Sequence, residues 1–269
     1  WFDSKSGRTV YCVEDSTVKT IGSATSAGLM SPKNLLVSTI TDQVKIAQNH
    51  QSKTIGIALK DRGAILPAGH FANWAFWYSK TGSFISSTFY GEKLPEWVTQ
   101  FNNEKHYMNY INKGWNLLKP IATYNESLPD DNPYEGKIDK TTGPVFPYDL
   151  NKIYKEKGAD VLRTTPFGND LLADLAMKAI EKEDLGKDDI ADFLTVSFSS
   201  TDYVGHTFGP RSIELQDTYL RLDQTLATFL AYLDKTVGKD NYLLFLTADH
   251  AGAENSNYLK DNKYNVKNV

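Results

Sequence analysis

The sequence predicts an α/β protein in which a mostly parallel sheet lies between helical layers and carries an inserted cap. Two observations carry that expectation. Short apolar runs suited to strands buried on both faces occur at 53–59, 193–198 and 242–247, and stretches of helical periodicity accompany them. The composition allows a sizeable core, with 41% hydrophobic and 12% aromatic residues in a chain of 269.

Taken in order, Thr9-Val10-Tyr11-Cys12-Val13 reads as a strand followed by a turn, and 22–28 as a small polar loop. Ser31 then resembles an N-cap with Pro32 at the first helical position. Leu35, Leu36, Ile40, Val44 and Ala47 recur at helical spacing behind it, to about Asn49. Lys53 to Leu59 is a buried strand. Aromatic runs on either side of Lys80-Thr81-Gly82 predict a hairpin, and 94–111 a helix. Residues 112–148 are rich in Pro, Gly, Asn and Asp and lack periodicity. This length of loop marks 64–148 as an inserted cap, with 1–63 and 149–269 forming the core. Asn169 or Asp170 caps a helix carrying Leu171, Leu172, Leu175, Ala176, Ala179 and Ile180. A strand follows at 193–198, a long helix at 212–237 closed by Gly238, and a last strand at 242–247.

Charge and composition exclude several function classes. With 29 basic residues against 33 acidic ones, the net charge of −4 argues against non-specific nucleic-acid binding and against a polybasic membrane anchor. No apolar run is long enough to span a bilayer. The single cysteine, Cys12, forbids an intrachain disulfide. Neither a Gly-X-Ser-X-Gly elbow nor a Gly-rich phosphate loop occurs.

Three polar clusters fall just after predicted strands, where open parallel sheets place their ligands. They are Lys60-Asp61-Arg62, Asp202 with His206, and Asp249-His250. Each alone has a plain structural reading: a solvated charge run, a turn histidine, a capping aspartate. Their placement at successive strand ends favours metal-dependent chemistry instead. Asp and His are the oxygen and nitrogen ligands of zinc, Gly205 would allow a tight turn joining Asp202 to His206, and two such ions can hold both oxygens of a phosphoryl transfer. Lys60 and Arg62 would neutralise phosphate oxygens, Arg by a two-pronged contact. The other histidines, His50, His70 and His106, are assigned no role, with His70 the nearest candidate.

The segments Ser199-Ser200-Thr201-Asp202-Tyr203-Val204-Gly205-His206-Thr207-Phe208-Gly209-Pro210 and Thr247-Ala248-Asp249-His250-Ala251-Gly252 resemble two metal motifs of the alkaline phosphatase superfamily. Gly56 to His70, Ser31 to Leu36 and Thr165 to Asp170 resemble the PafA-type, threonine-nucleophile bacterial alkaline phosphatases within it. This resemblance implies a three-layer alkaline-phosphatase-like sandwich. It implies two zinc ions, one held by Asp202 and His206 and the other by Asp249 and His250, with Lys60 and Arg62 on the phosphate. It further implies hydrolysis of a small phosphate monoester through a phospho-threonine intermediate, in the periplasm or outside the cell. In that family the nucleophile, an aspartate ligand and a phosphate-binding asparagine lie upstream of the segment matching Trp1, and the last histidine ligand lies downstream of Val269. The expectation is therefore an internal fragment with incomplete zinc sites, inactive by itself. A phosphodiesterase or nucleotide pyrophosphatase on the same scaffold is the alternative, and a non-catalytic binding module is the reading from another class.

Overall fold

The computed structural model describes residues 1–140 and 143–264, so Thr141, Thr142 and 265–269 of the expected cap and core lie outside the described residues. The chain divides into two compact units. The first comprises Trp1–His106, Leu171–Phe198 and Ala231–Tyr242, and the second Tyr107–Asp170, Ser199–Leu230 and Leu243–Val269.

The first unit opens with β1 (Phe2–Asp3) and β2 (Arg8–Thr9), a small antiparallel ladder. The strand expected over 9–13 stops at Thr9, because Val13 turns inward to become fully buried and its carbonyl accepts from the Ser31 amide at 2.9 Å. β3 (Thr20–Ile21) lies at one edge of a five-stranded sheet. Ser31 and Pro32 open only a single 3-10 turn, Pro32–Asn34. The helix α1 (Ile40–Ala47) starts later than the sequence suggested. Leu35 is extended, and the decisive signal is a capping box: Thr39 Oγ1 accepts from the Asp42 amide while Asp42 Oδ2 accepts from the Thr39 amide.

β4 (Thr54–Ala58) is buried at every residue, and α2 (Asp61–Ala68) packs across it. Gly56 permits that packing, since a Cβ there would sit 2.1 Å from the Ala64 carbonyl oxygen of α2. β5 (Trp74–Tyr78), β6 (Phe84–Ser87), α3 (Glu96–Glu104) and β7 (Phe193–Ser197) complete the framework. The strand order is β3-β6-β5-β4-β7, with β4 parallel to β5 and β7 and with β6 antiparallel to β5 and β3. The sheet is therefore mixed rather than mostly parallel: the tight turn at 79–83 leaves β6 no option but to reverse direction. That hairpin, expected at the start of the cap, belongs to the core sheet. Its aromatic residues are core too: Phe76 is fully buried and meets Trp97 of α3 edge-on at 5.6 Å.

His70 follows α2 and is a structural residue. Its Nδ1 lies 2.9 Å from Asp42 Oδ2 and its Nε2 lies 2.8 Å from the Leu35 carbonyl, so both ring nitrogens donate when the imidazole is charged. The bond to Asp42 raises its pKa above the usual value against the opposing effect of burial. A raised histidine pKa stabilises the fold fully below about pH 6.5 and loses that contribution as pH climbs through the folded value. His70→Ala is expected to cost about 1–2 kcal/mol near pH 6 and less at pH 9. Urea unfolding at the two pH values tests this, and an equal cost at both would remove the charged imidazole from the account.

In the second unit, α4 (Tyr107–Lys113) continues the chain after α3. One helix was expected over 94–111, but Lys105 adopts a left-handed φ of 51° that ends α3 at Glu104. Then come α5 (Leu150–Lys157), α6 (Phe167–Lys182), α7 (Ser200–Phe208), α8 (Ile213–Leu233) and α9 (Ser256–Asp261), with α6 and α8 each extending into the first unit. The long non-periodic segment is anchored by a buried aspartate on α8. Asp217 accepts from Trp115 Nε1 at 2.8 Å, the Leu118 amide at 2.8 Å, Tyr124 Oη at 2.6 Å and Arg221 Nε at 2.6 Å. Around this anchor Trp115, Phe146, Tyr148 and Phe208 form an aromatic cluster.

The last expected strand is absent: 242–247 has no ladder among the described residues, and Leu243, Phe245 and Leu246 are 79%, 70% and 73% exposed. Apolar sequence favours a strand, but only a partner edge can satisfy its amides and carbonyls. For the same reason β7 is half-buried, since among the described residues it pairs with β4 alone.

Candidate functional site

β4 and β7 run parallel in register, with Ala58 opposite Ser197, so both strands release the chain at the same end of the sheet. Leu59 is buried, and Lys60 turns the chain from β4 into α2 as its N-cap residue. Arg62 lies in the first turn, exposed but not loose. Its Nη1 donates to the Tyr11 oxygen at 3.1 Å, Tyr11 Oη donates to Asp61 Oδ1 at 2.6 Å, and the Arg62 amide donates to that same Oδ1 at 2.6 Å. Burial, with the bond to Asp61, pushes the Tyr11 phenol up to about 12, so it keeps its proton. This is an organised cationic turn rather than a solvated charge run.

The second unit gathers the other four residues. Buried Asn169 starts α7 by accepting from the Ser200 amide at 3.0 Å and donating to Thr201 Oγ1 at 3.2 Å. Asp202 and His206 then stand one turn apart on α7, with His206 Nε2 3.2 Å from Asp202 Oδ1. The spacing of four works through the helix, not through the tight turn at Gly205 that the sequence suggested. His250 arrives from the extended segment after α8: its Nε2 lies 3.7 Å from Asp202 Oδ1 and 3.5 Å from Asp249 Oδ2. Two ligands of one tetrahedral zinc stand about 3.3 Å apart, given zinc–ligand bonds of about 2.0 Å. The Asp202 pairs match that edge in distance and donor type. The fit is one of pairs, however: among the described residues no set of three or more His, Cys, Asp or Glu is arranged to hold an ion.

Sequence reasoning did not find Tyr11, which was assigned to a strand, and nothing local marks it because Asp61 and Arg62 lie about fifty positions away. It also passed over an acidic group in the second unit. Burial, with neighbouring acids, pushes Glu135 up to about 9, and burial pushes Glu214 up to about 7. Tyr148 donates to Glu214, and Asn132 Nδ2 donates to Glu135 at 2.5 Å.

Comparison with known proteins places the chain: it belongs to the type I phosphodiesterase / nucleotide pyrophosphatase family, whose model matches residues 1–269. It is 54% identical to a calcium-transporting ATPase of Myroides odoratus over 96% of this chain and 48% of that protein. It is 53% identical to alkaline phosphatase PhoV of Synechococcus elongatus over 97% of this chain, and 50% identical to alkaline phosphatase PafA of Elizabethkingia meningoseptica over 98%, in each case over 48% of the relative. The crystal structure of wild-type PafA matches with a TM-score of 0.95 at 49% identity, covering 98% of this chain and 51% of that one. The crystal structure of a PafA variant, with a threonine, an asparagine and a Lys and Arg two positions apart replaced, matches at the same TM-score. The chain spans about half the length of the curated relatives it matches.

Proposed function

We propose that this chain forms part of a metal-dependent phosphate monoester hydrolase, an alkaline phosphatase acting on small phosphate esters. The observation that carries the reading is Lys60 and Arg62 at the exit of β4, with Arg62 held by Tyr11, which is itself bonded to Asp61 at the start of α2. Their spacing of two is that of the Lys and Arg replaced in the PafA variant. A phosphate monoester carries two negative charges, and two neighbouring cations stabilise them more than the single charge of a diester.

Asp202, His206, Asp249 and His250 are the residues that would hold zinc. Bound there, the metal would supply Lewis-acid activation of the attacking and leaving oxygens. The chain's own residues do the rest. Lys60 and Arg62 bind and orient the phosphoryl group, and Asn169 fixes the helix that presents Asp202 and His206. The threonine nucleophile belongs to the same proposal and comes from outside these residues. The segment between α4 and α5, anchored on Asp217, is the candidate cap.

Zinc titration of this chain, followed by NMR of the imidazole resonances, is expected to move His206 and His250 together, and Asp202→Asn is expected to weaken binding roughly tenfold or more. A ring that zinc leaves unmoved would drop out of the metal reading.

A diesterase is the second reading, favoured by the family's own description. An aryl phosphate monoester assayed beside the matching diester, in the protein extended to the length of its relatives, decides between them. Monoester preference supports the phosphatase and diester preference replaces it. Periplasmic or secreted location is part of the proposal, testable by cell fractionation. No helix among the described residues is long and apolar enough to cross a membrane.

A further inference from the structure

We propose that Tyr11 is a positioning residue for Arg62, holding the guanidinium in the orientation that receives a phosphoryl oxygen. The inference rests on the phosphate-binding reading of Lys60 and Arg62. An arginine on an exposed first turn would ordinarily sample many rotamers, and an aspartate beside it would compete for its N–H groups. Here the phenol stands between the two. Tyr11 Oη gives its hydrogen to Asp61 Oδ1 at 2.6 Å and receives one from Arg62 Nη1 at 3.1 Å. Asp61 Oδ1 is thereby already engaged, by the phenol and by the Arg62 amide, each at 2.6 Å. One of the five guanidinium donors is fixed, which sets the plane in which the others meet an anion.

Tyr11 is itself held, through its ring and through its backbone. Its ring packs against the core cluster of Val13, Ala58, Ala64, Ile65 and Trp77, and Asn34 Nδ2 donates to the Tyr11 carbonyl at 3.2 Å. A side chain anchored in the core thus fixes one at the surface, and less ordering remains to be done when phosphate arrives.

Two measurements test this. In the 269-residue chain, nitrogen-15 NMR reads the rotation of the Arg62 guanidinium about its Nε–Cζ bond. Tyr11→Phe, which removes only the hydroxyl, is expected to speed that rotation several-fold, and an unchanged rate overturns the proposal. Asp61→Ala, which removes the acceptor of the phenol, gives the same reading by a second route if the first variant folds poorly.

In the protein extended to the length of its relatives, inhibition by inorganic phosphate is compared for Tyr11→Phe, Arg62→Ala and the double variant. Tyr11→Phe is expected to weaken inhibition roughly five- to tenfold when Arg62 is present and to have no effect when it is absent. Equal weakening in both backgrounds means a merely structural role for Tyr11 and overturns the proposal. If Arg62→Ala leaves inhibition unchanged, the phosphate reading of Arg62 fails, and the proposal falls with it, a result distinct from failure of Tyr11 alone.

Discussion

Replacing Lys60 and Arg62 together by alanine is expected to lower kcat/KM for an aryl phosphate monoester by roughly 100- to 10,000-fold, as removal of fixed charge donors does at other phosphoryl and acyl centres. Turnover of the matching diester is expected to fall by less than about tenfold. The two residues sit where β4 becomes α2, just after buried Leu59, and Arg62 is held by the Tyr11–Asp61 pair. Neither side chain is part of the core, so alanine removes the charges, and the Arg62 bond to Tyr11, without opening a core cavity. The asymmetry arises from charge: a dianion loses two close attractive partners, whereas a monoanion loses less and gains room for its second ester group. Equal losses on both substrates would deny the pair its role in selecting monoesters. The assay is steady-state kinetics in the protein extended to the length of its relatives, with circular dichroism to establish that the variant is folded.

The second large effect is on stability. Asp217→Ala is expected to destabilise the second unit by about 3–5 kcal/mol, the range seen when one partner of a buried charged network is removed. Asp217 is fully buried, and its loss leaves the indole of Trp115, the amide of Leu118, the phenol of Tyr124 and Nε of Arg221 without this acceptor. Each is a donor that water can no longer easily reach, and each costs about 1–3 kcal/mol if unsatisfied and fully enclosed. Asn is expected to rescue only in part, since its NH2 group would face donors. Chemical denaturation followed by tryptophan fluorescence reads the loss. A cost below 1 kcal/mol would show that the 115–124 segment finds other partners and does not depend on α8.

Local patterns in the chain were enough to locate β4, the β5–β6 hairpin, β7, α6 and α8, because each carries a period or an apolar run that only one element type satisfies. Of the candidate residues, Lys60 and Arg62 follow β4 and Asp202 and His206 lie on α7 just after β7, whereas Asp249 and His250 follow a run that pairs with no strand among the described residues. Local patterns misplaced the start of α1, where an inviting Ser-Pro pair competed with the Thr39–Asp42 capping box. They also ran α3 and α4 into one, because a left-handed residue at Lys105 leaves no mark in a sequence.

What the sequence by itself determined was the α/β alternation and which candidate residues stand near its strand ends, because both are written in residue type and short-range spacing. Tertiary structure alone decided three things: that β5 and β6 join the core sheet, that 242–247 stays unpaired among the described residues, and that Tyr11 reaches Arg62. The physical reason is common to all three. Strand pairing and side-chain hydrogen bonds depend on which distant segments supply a free edge or a partner, and no local period encodes that choice.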